Sequence, residues 1–102
     1  MKLSEMTTYE CAKALTHDEY ANWTRSGAFA LVEYLEQMED DCGTQIEFDP
    51  VALRCEYSEY DTAIEAAQAY TSEFTTEESA LEYLENNTTV INHANGIIVQ
   101  DF

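Results

Sequence analysis

Positive charge is what this sequence has least of. Its 102 residues include 4 Lys and Arg against 21 Asp and Glu, a formal charge of −17 at pH 7. The pI is near 4.1. That balance excludes direct nucleic-acid binding, because a phosphate backbone would be repelled. Proline (1) and glycine (3) are nearly as scarce, so no linker or low-complexity segment fits. No apolar run approaches the roughly 18 residues of a membrane span. The N-terminal MKLSEMTTYEC also lacks the apolar core of a secretory signal. A cytoplasmic protein without a membrane partner is expected. Its cysteines, Cys11, Cys42 and Cys55, are then expected as reduced thiols.

Chemical motifs are also missing. There is no glycine-rich phosphate loop, nucleophile elbow or Cys-x-x-Cys. An EF-hand aligned on Gly43 would put Met38 at its first ligand position and Asp49 where a bidentate Glu belongs. Cys42, Cys55, His17 and His93 lack the close paired spacing of a zinc site. Carboxylate pairs abound by chance among so many acids and do not single out a general acid and base. No catalytic residue, cofactor or metal ligand is assigned, and the chain is read as non-enzymatic.

Apolar residues, by contrast, make up 45% of the chain. That is near the globular average and separates it from a disordered acidic tail. At this length one domain over residues 1–102 is expected. Thr8 to Thr16 reads as a short helix with Tyr9, Ala12 and Leu15 in phase, followed by a polar stretch from His17 to Arg25. A longer helix is expected from a Ser26 cap to Gly43. Ala28, Leu31, Val32, Leu35, Met38 and Cys42 form its inward stripe. Asp49-Pro50 signals a tight turn or a helical turn. Val51, Leu53, Cys55 and Tyr57 alternate with polar or small residues, which predicts a half-buried strand with Cys55 in the core.

Asp61 would cap a helix to about Tyr70. Thr75 and Glu78 would form the capping box of another to about Glu85, with Ala80, Leu81 and Leu84 inward. Thr88–His93, Asn95-Gly96 and Ile97–Phe102 read as a hairpin. The fold class is α+β: a three-stranded antiparallel sheet, made of the C-terminal hairpin plus a central strand, packed by about four helices.

The acids are concentrated. Between Glu33 and Glu85 there are 16 Asp and Glu and one base, Arg54, leaving −15 in that stretch. They fall on helix faces, in turns and on the expected strand. Carboxylates three or four residues apart on a helix have Cβ atoms about 5–6 Å apart. Glu33, Glu36, Glu39 and Asp40 make one ladder, and Glu78, Glu82 and Glu85 another; Asp41, Glu56 and Glu59 add to them. Duplex DNA carries a charge per roughly 1.7 Å of axis. A folded body with such rows offers a DNA-binding protein a comparable field, at a cost in self-repulsion. A halophilic origin would also add acids, but Glu outnumbers Asp 15 to 6 and seven Tyr are present. Tyr20, Trp23, Tyr34, Tyr57, Tyr60, Tyr70 and Tyr83 cannot all be wholly buried. Tyr57 and Tyr70 are expected in the core, and Tyr34, beside the acidic stripe, is the contact candidate.

The stretch from Ala30 to Tyr70, with its Phe48-Asp49-Pro50 turn and Cys55-Glu56-Tyr57 segment, resembles small proteins encoded by bacteriophages and prophages. That resemblance implies a phage origin and an infected bacterial cell as the setting; it carries no activity with it. In size and charge the chain is similar to phage anti-CRISPR and anti-restriction proteins that mimic DNA. The functional expectation is an inhibitor of a host nucleic-acid-targeting defence system, CRISPR–Cas before restriction–modification. Its partner would be a defence protein with a basic groove. The partner-binding set is Glu33, Tyr34, Glu36, Glu39, Asp40, Asp41, Glu56, Glu59, Glu78, Glu82 and Glu85. The alternative is a phage adaptor or regulatory module that grips a protein through a Tyr-rich patch. A homodimer would align two acidic faces, although −17 per protomer opposes it unless the interface is apolar.

Overall fold

The computed structural model describes residues 2–21, 23–70, 75–94 and 96–101. The chain divides into two compact units, Met1–Cys55 and Glu56–Phe102. Among the described residues, five α-helices and a three-stranded antiparallel sheet make an α+β fold.

The first unit is helical. α1 (Thr8–Thr16) begins at a complete capping box. The Glu10 backbone N–H donates to Thr7 Oγ1 at 3.1 Å, and the Thr7 N–H donates to Glu10 Oε1 at 2.9 Å. These bonds hold the Glu10 carboxyl below its ordinary range. The cap of α2 (Arg25–Cys42) lies two residues before the expected Ser26. Thr24 takes that role, accepting from the Gly27 N–H at 3.0 Å. α2 stops at Gly43, whose φ of 67° is left-handed and unstrained only without a Cβ. α1 packs on α2. Cys11, Ala12 and Leu15 of α1 and Ala28, Leu31, Val32 and Leu35 of α2 are buried, and Leu3, Trp23, Phe48 and Leu53 complete the unit's core. Tyr9 keeps the helical phase but is 56% exposed.

The expected strand from Val51 to Tyr57 is a helix for most of its length. α3 spans Pro50–Glu56. Asp49 Oδ1 accepts from the Val51 and Ala52 N–H groups at 3.1 and 3.3 Å, and Pro50 sits at the first helical position, where its missing N–H costs nothing. Ala52, Leu53 and Arg54 are good helix formers. The apolar alternation does not correspond to burial. Leu53 is buried, Val51 is 52% exposed, and Cys55 lies on the surface instead of in the core. Cys42, at the end of the α2 stripe, is exposed too. Burial, helped by the nearby Glu36 and Glu10 charges, pushes the Cys11 thiol up. A thiol-reactive disulfide reagent should therefore modify two cysteines quickly and the third only at the rate of unfolding. Three fast thiols would show that α1 is not seated on α2.

The second unit carries the sheet. β1 (Tyr57–Tyr60) precedes α4 (Ala63–Gln68) and α5 (Glu77–Asn87), and the hairpin of β2 (Val90–His93) and β3 (Gly96–Gln100) follows. The strand order is β1-β3-β2, so β3 is the middle strand. Tyr57 pairs with Gln100, Glu59 with Ile98, Val90 with Val99 and His93 with Gly96. Asn95, and with it the expected Asn95-Gly96 turn, lies outside the described residues. Gly96 is required because a Cβ there would meet the Tyr60 carbonyl. One sheet face, through Ile97 and Val99, packs with Ala63, Ala66 and Ala67 of α4 and Ala80 and Leu84 of α5. Ile64, Tyr70, Leu81 and Val90 pack at its margin, so Tyr70 and Leu81 are half-buried members of this core.

Both helix starts in this unit sit one residue later than expected. Thr62 rather than Asp61 caps α4, accepting from the Glu65 N–H at 3.1 Å. Thr76 rather than Thr75 caps α5, accepting from the Ser79 N–H at 3.3 Å, and α5 runs past Glu85 to Asn87. In each case the residue next to the helix, a threonine, has the extended backbone of a cap.

Tyr70 ties down the chain end. Its hydroxyl donates to Asp101 Oδ1 at 3.1 Å, and the Asp101 N–H donates to the Glu56 carbonyl at 2.8 Å. Burial first, then the Asp101 carboxylate, pushes the Tyr70 hydroxyl up from 10.0 to about 12. The unfolded chain therefore releases this proton before the folded one does. The contribution is intact below pH 10.0 and is lost as pH rises through about 12. Urea unfolding of wild type and Tyr70→Phe between about pH 9 and 11 should show the wild-type advantage shrinking with pH. A constant difference would contradict the Tyr70–Asp101 bond.

Candidate acidic surface

α2 presents its acids in two classes. Glu33, Asp40 and Asp41 are exposed. Glu33 and Asp40 make no hydrogen bond or ion pair among the described residues, and Asp41 accepts only from Gln37 Nε2 at 3.1 Å. Glu36 and Glu39 are half-buried and engaged. Thr8 Oγ1 donates to both Glu36 carboxylate oxygens at 3.0 and 2.9 Å, joining α1 to α2. Glu39 Oε2 accepts from the Ile46 N–H at 2.7 Å and fixes the segment that follows the helix. Those two carboxylates hold the fold and are not free rungs of a ladder. Tyr34, on the same helix, is half-buried.

The exposed trio spans positions 33 to 41, about 12 Å of helix at the standard rise. A single strand of duplex DNA places about three to four charges in that length. Asp40 and Asp41 also lie in the last turn, where α2 carries no basic residue. The helix dipole disfavours anions there by about 0.3–1 kcal/mol each. Stability alone would not put them there.

α5 carries the other row. Glu78, Glu82 and Glu85 are exposed, lie on one stripe and make no hydrogen bond or ion pair among the described residues. They place three charges in about 10 Å of helix. Glu77 is different. Its carboxylate accepts from the Ala63 and Ile64 N–H groups at 2.5 and 3.1 Å and covers the start of α4. Sequence reasoning misses it, because the 13- and 14-residue separations leave no local signal.

Glu56, at the end of α3, is exposed. Glu59 is not available in the same way: its Oε2 lies 3.0 Å from His93 Nε2, and its side chain is 11% exposed. Of the Tyr and Trp residues expected partly at the surface, Tyr20 is 78% exposed and Tyr57 is buried as expected, but Trp23 is 7% exposed and belongs to the core. Arg54, the lone base of the acidic stretch, is occupied. It pairs with Asp18 at 3.0 Å and stacks 5.1 Å from the Tyr20 ring. The Tyr20 backbone N–H and then Arg54 hold the Asp18 carboxyl below its usual range. No cluster of three or more metal-ligating side chains and no helix long and apolar enough to cross a membrane occurs among the described residues. No protein family, curated protein or solved structure matches the chain.

Proposed function

We propose that the protein is a non-enzymatic, phage-encoded inhibitor of a nucleic-acid-targeting defence system, acting as an acidic mimic of DNA. It would occupy the Lys- and Arg-lined DNA-binding surface of a defence complex, with CRISPR–Cas favoured over restriction–modification. The observation that carries this reading is the set of exposed carboxylates without basic partners, held at helical spacing on α2 and α5. Glu33, Asp40, Asp41, Glu78, Glu82 and Glu85 stand in for phosphates, and Glu56 is a further exposed candidate. Glu36, Glu39 and Glu59 support the structure instead, and Tyr34 is half-buried. A net charge of −17 steers such a body toward a basic groove and away from nucleic acid.

Affinity for purified CRISPR effector complexes, followed as salt is raised, tests it. Binding should fall steeply and be lost near about 0.5 M salt, where screening shortens to a few ångström. Binding that persists there favours the second reading, a phage adaptor that grips a protein through exposed rings. Tyr9 and Tyr20, 56% and 78% exposed, are the observation behind that alternative.

A further inference from the structure

One groove of this acidic molecule is basic. It lies in the first unit between α1 and the start of α2 and encloses about 310 Å³. That is the lower end of the range for small-ligand sites. Tyr9, Trp23 and Phe29 supply aromatic walls, and Lys13, His17 and Arg25 supply nitrogen donors. None of the described residues that line it is acidic. The chain has only 4 Lys and Arg, so half of them meet here.

Those two cations are uncommitted. Lys13 and Arg25 form no ion pair among the described residues, although 21 Asp and Glu are present in the chain. The other two bases are engaged: Arg54 with Asp18, and Lys2 Nζ with Gln45 at 2.6 Å. Arg25 lies 6.0 Å from the centroid of the Phe29 ring, which holds its guanidinium at the aromatic wall. Trp23 adds an independent sign. It is 7% exposed, and its indole Nε1–H is buried with no acceptor among the described residues. A buried donor without a partner is unusual in a folded protein.

We propose that this groove binds a small aromatic monoanion of the carboxylate class. The ring would lie among Tyr9, Phe29 and Trp23. The carboxylate would sit on Lys13 and Arg25, whose planar fork matches its two oxygens. A polyanion is a poor occupant, because the overall charge of −17 repels it in proportion to its own charge. A single negative charge pays little of that penalty and gains the local cations. The inference is independent of DNA mimicry, since none of the groove residues belongs to the acidic rows.

Trp23 is the only tryptophan, so its indole N–H gives one resonance in a nitrogen–proton correlation spectrum. Benzoate added to the full chain should shift that resonance saturably, with half-saturation below about 10 mM. Benzamide, acetate and inorganic phosphate should each bind at least about tenfold more weakly, since each lacks the charge or the ring. The double variant Lys13→Gln, Arg25→Gln should lose about tenfold or more in benzoate affinity. Its backbone amide pattern should be retained, because both side chains are exposed. Failure of benzoate to saturate would overturn the proposal. So would equal binding of benzamide or phosphate, or a folded double variant that binds as wild type does.

Discussion

Replacing Glu33 by Gln and both Asp40 and Asp41 by Asn should weaken binding to the basic partner by about 100- to 1,000-fold at low salt. Charge pairs closed at a protein interface are taken at about 1–1.4 kcal/mol each, just under the weakest measured couplings of close pairs, and three together give about 3–4 kcal/mol, which corresponds to that loss. Most of it should appear as slower association at first, since the rows act through steering. The same variant should be equally or more stable. Asp40 and Asp41 lie where the α2 dipole opposes a negative charge, with no base in the last turn to offset it. Opposite signs for affinity and stability are the signature of charge kept for a partner. Two controls separate position from total charge. Glu19→Gln removes an exposed acid that belongs to neither α2 nor α5 and should cost little. Glu39→Gln weakens the charge-assisted bond to the Ile46 N–H and should cost stability instead. Equal affinity losses for Glu33→Gln and Glu19→Gln, each made alone, would reject the mapped face.

Leu84→Ala should destabilise the second unit by about 2–5 kcal/mol. Four of the seven residues in its buried cluster are already alanine: Ala63, Ala66, Ala67 and Ala80. They bring α4 and α5 close but have no side-chain atoms beyond Cβ to refill a void. Leu84 is fully buried and supplies the bulk between α5 and the Ile97–Val99 face. A cavity left there would collapse only in part, and the thermal midpoint should fall by more than about 10 °C. Val51→Ala, at a position 52% exposed, should change stability by no more than about 0.5 kcal/mol. A loss under about 1 kcal/mol for Leu84→Ala would mean that α5 does not pack on the sheet.

The elements legible in the sequence are those specified locally. The α1 phase of Ala12 and Leu15, the α2 stripe and the Gly43 stop are each set by residues within a few positions of one another. The hairpin is legible for the same reason, with Gly96 where backbone approaches backbone. What fails is period two without burial. Val51, Leu53 and Cys55 alternate, yet Asp49 and Pro50 start a helix there, and Leu53 alone of the three is buried. The candidate site divides along the same line. Exposure of Glu33, Glu78, Glu82 and Glu85 follows from helical phase. The engagement of Glu36 by Thr8, 28 residues away, and of Glu59 by His93 across the sheet depends on tertiary structure. The basic groove was hidden for that reason as well. Lys13 and Arg25 are 12 positions apart in sequence and meet only because α1 packs beside α2.

The most direct test of mimicry is displacement. A labelled target duplex bound to a purified CRISPR effector complex would be titrated with the protein at low salt, and DNA release and inhibitor binding followed in the same sample. Mimicry predicts mutually exclusive occupancy: each inhibitor bound removes a duplex, and excess duplex removes the inhibitor. A stable complex holding both the protein and its DNA would contradict it.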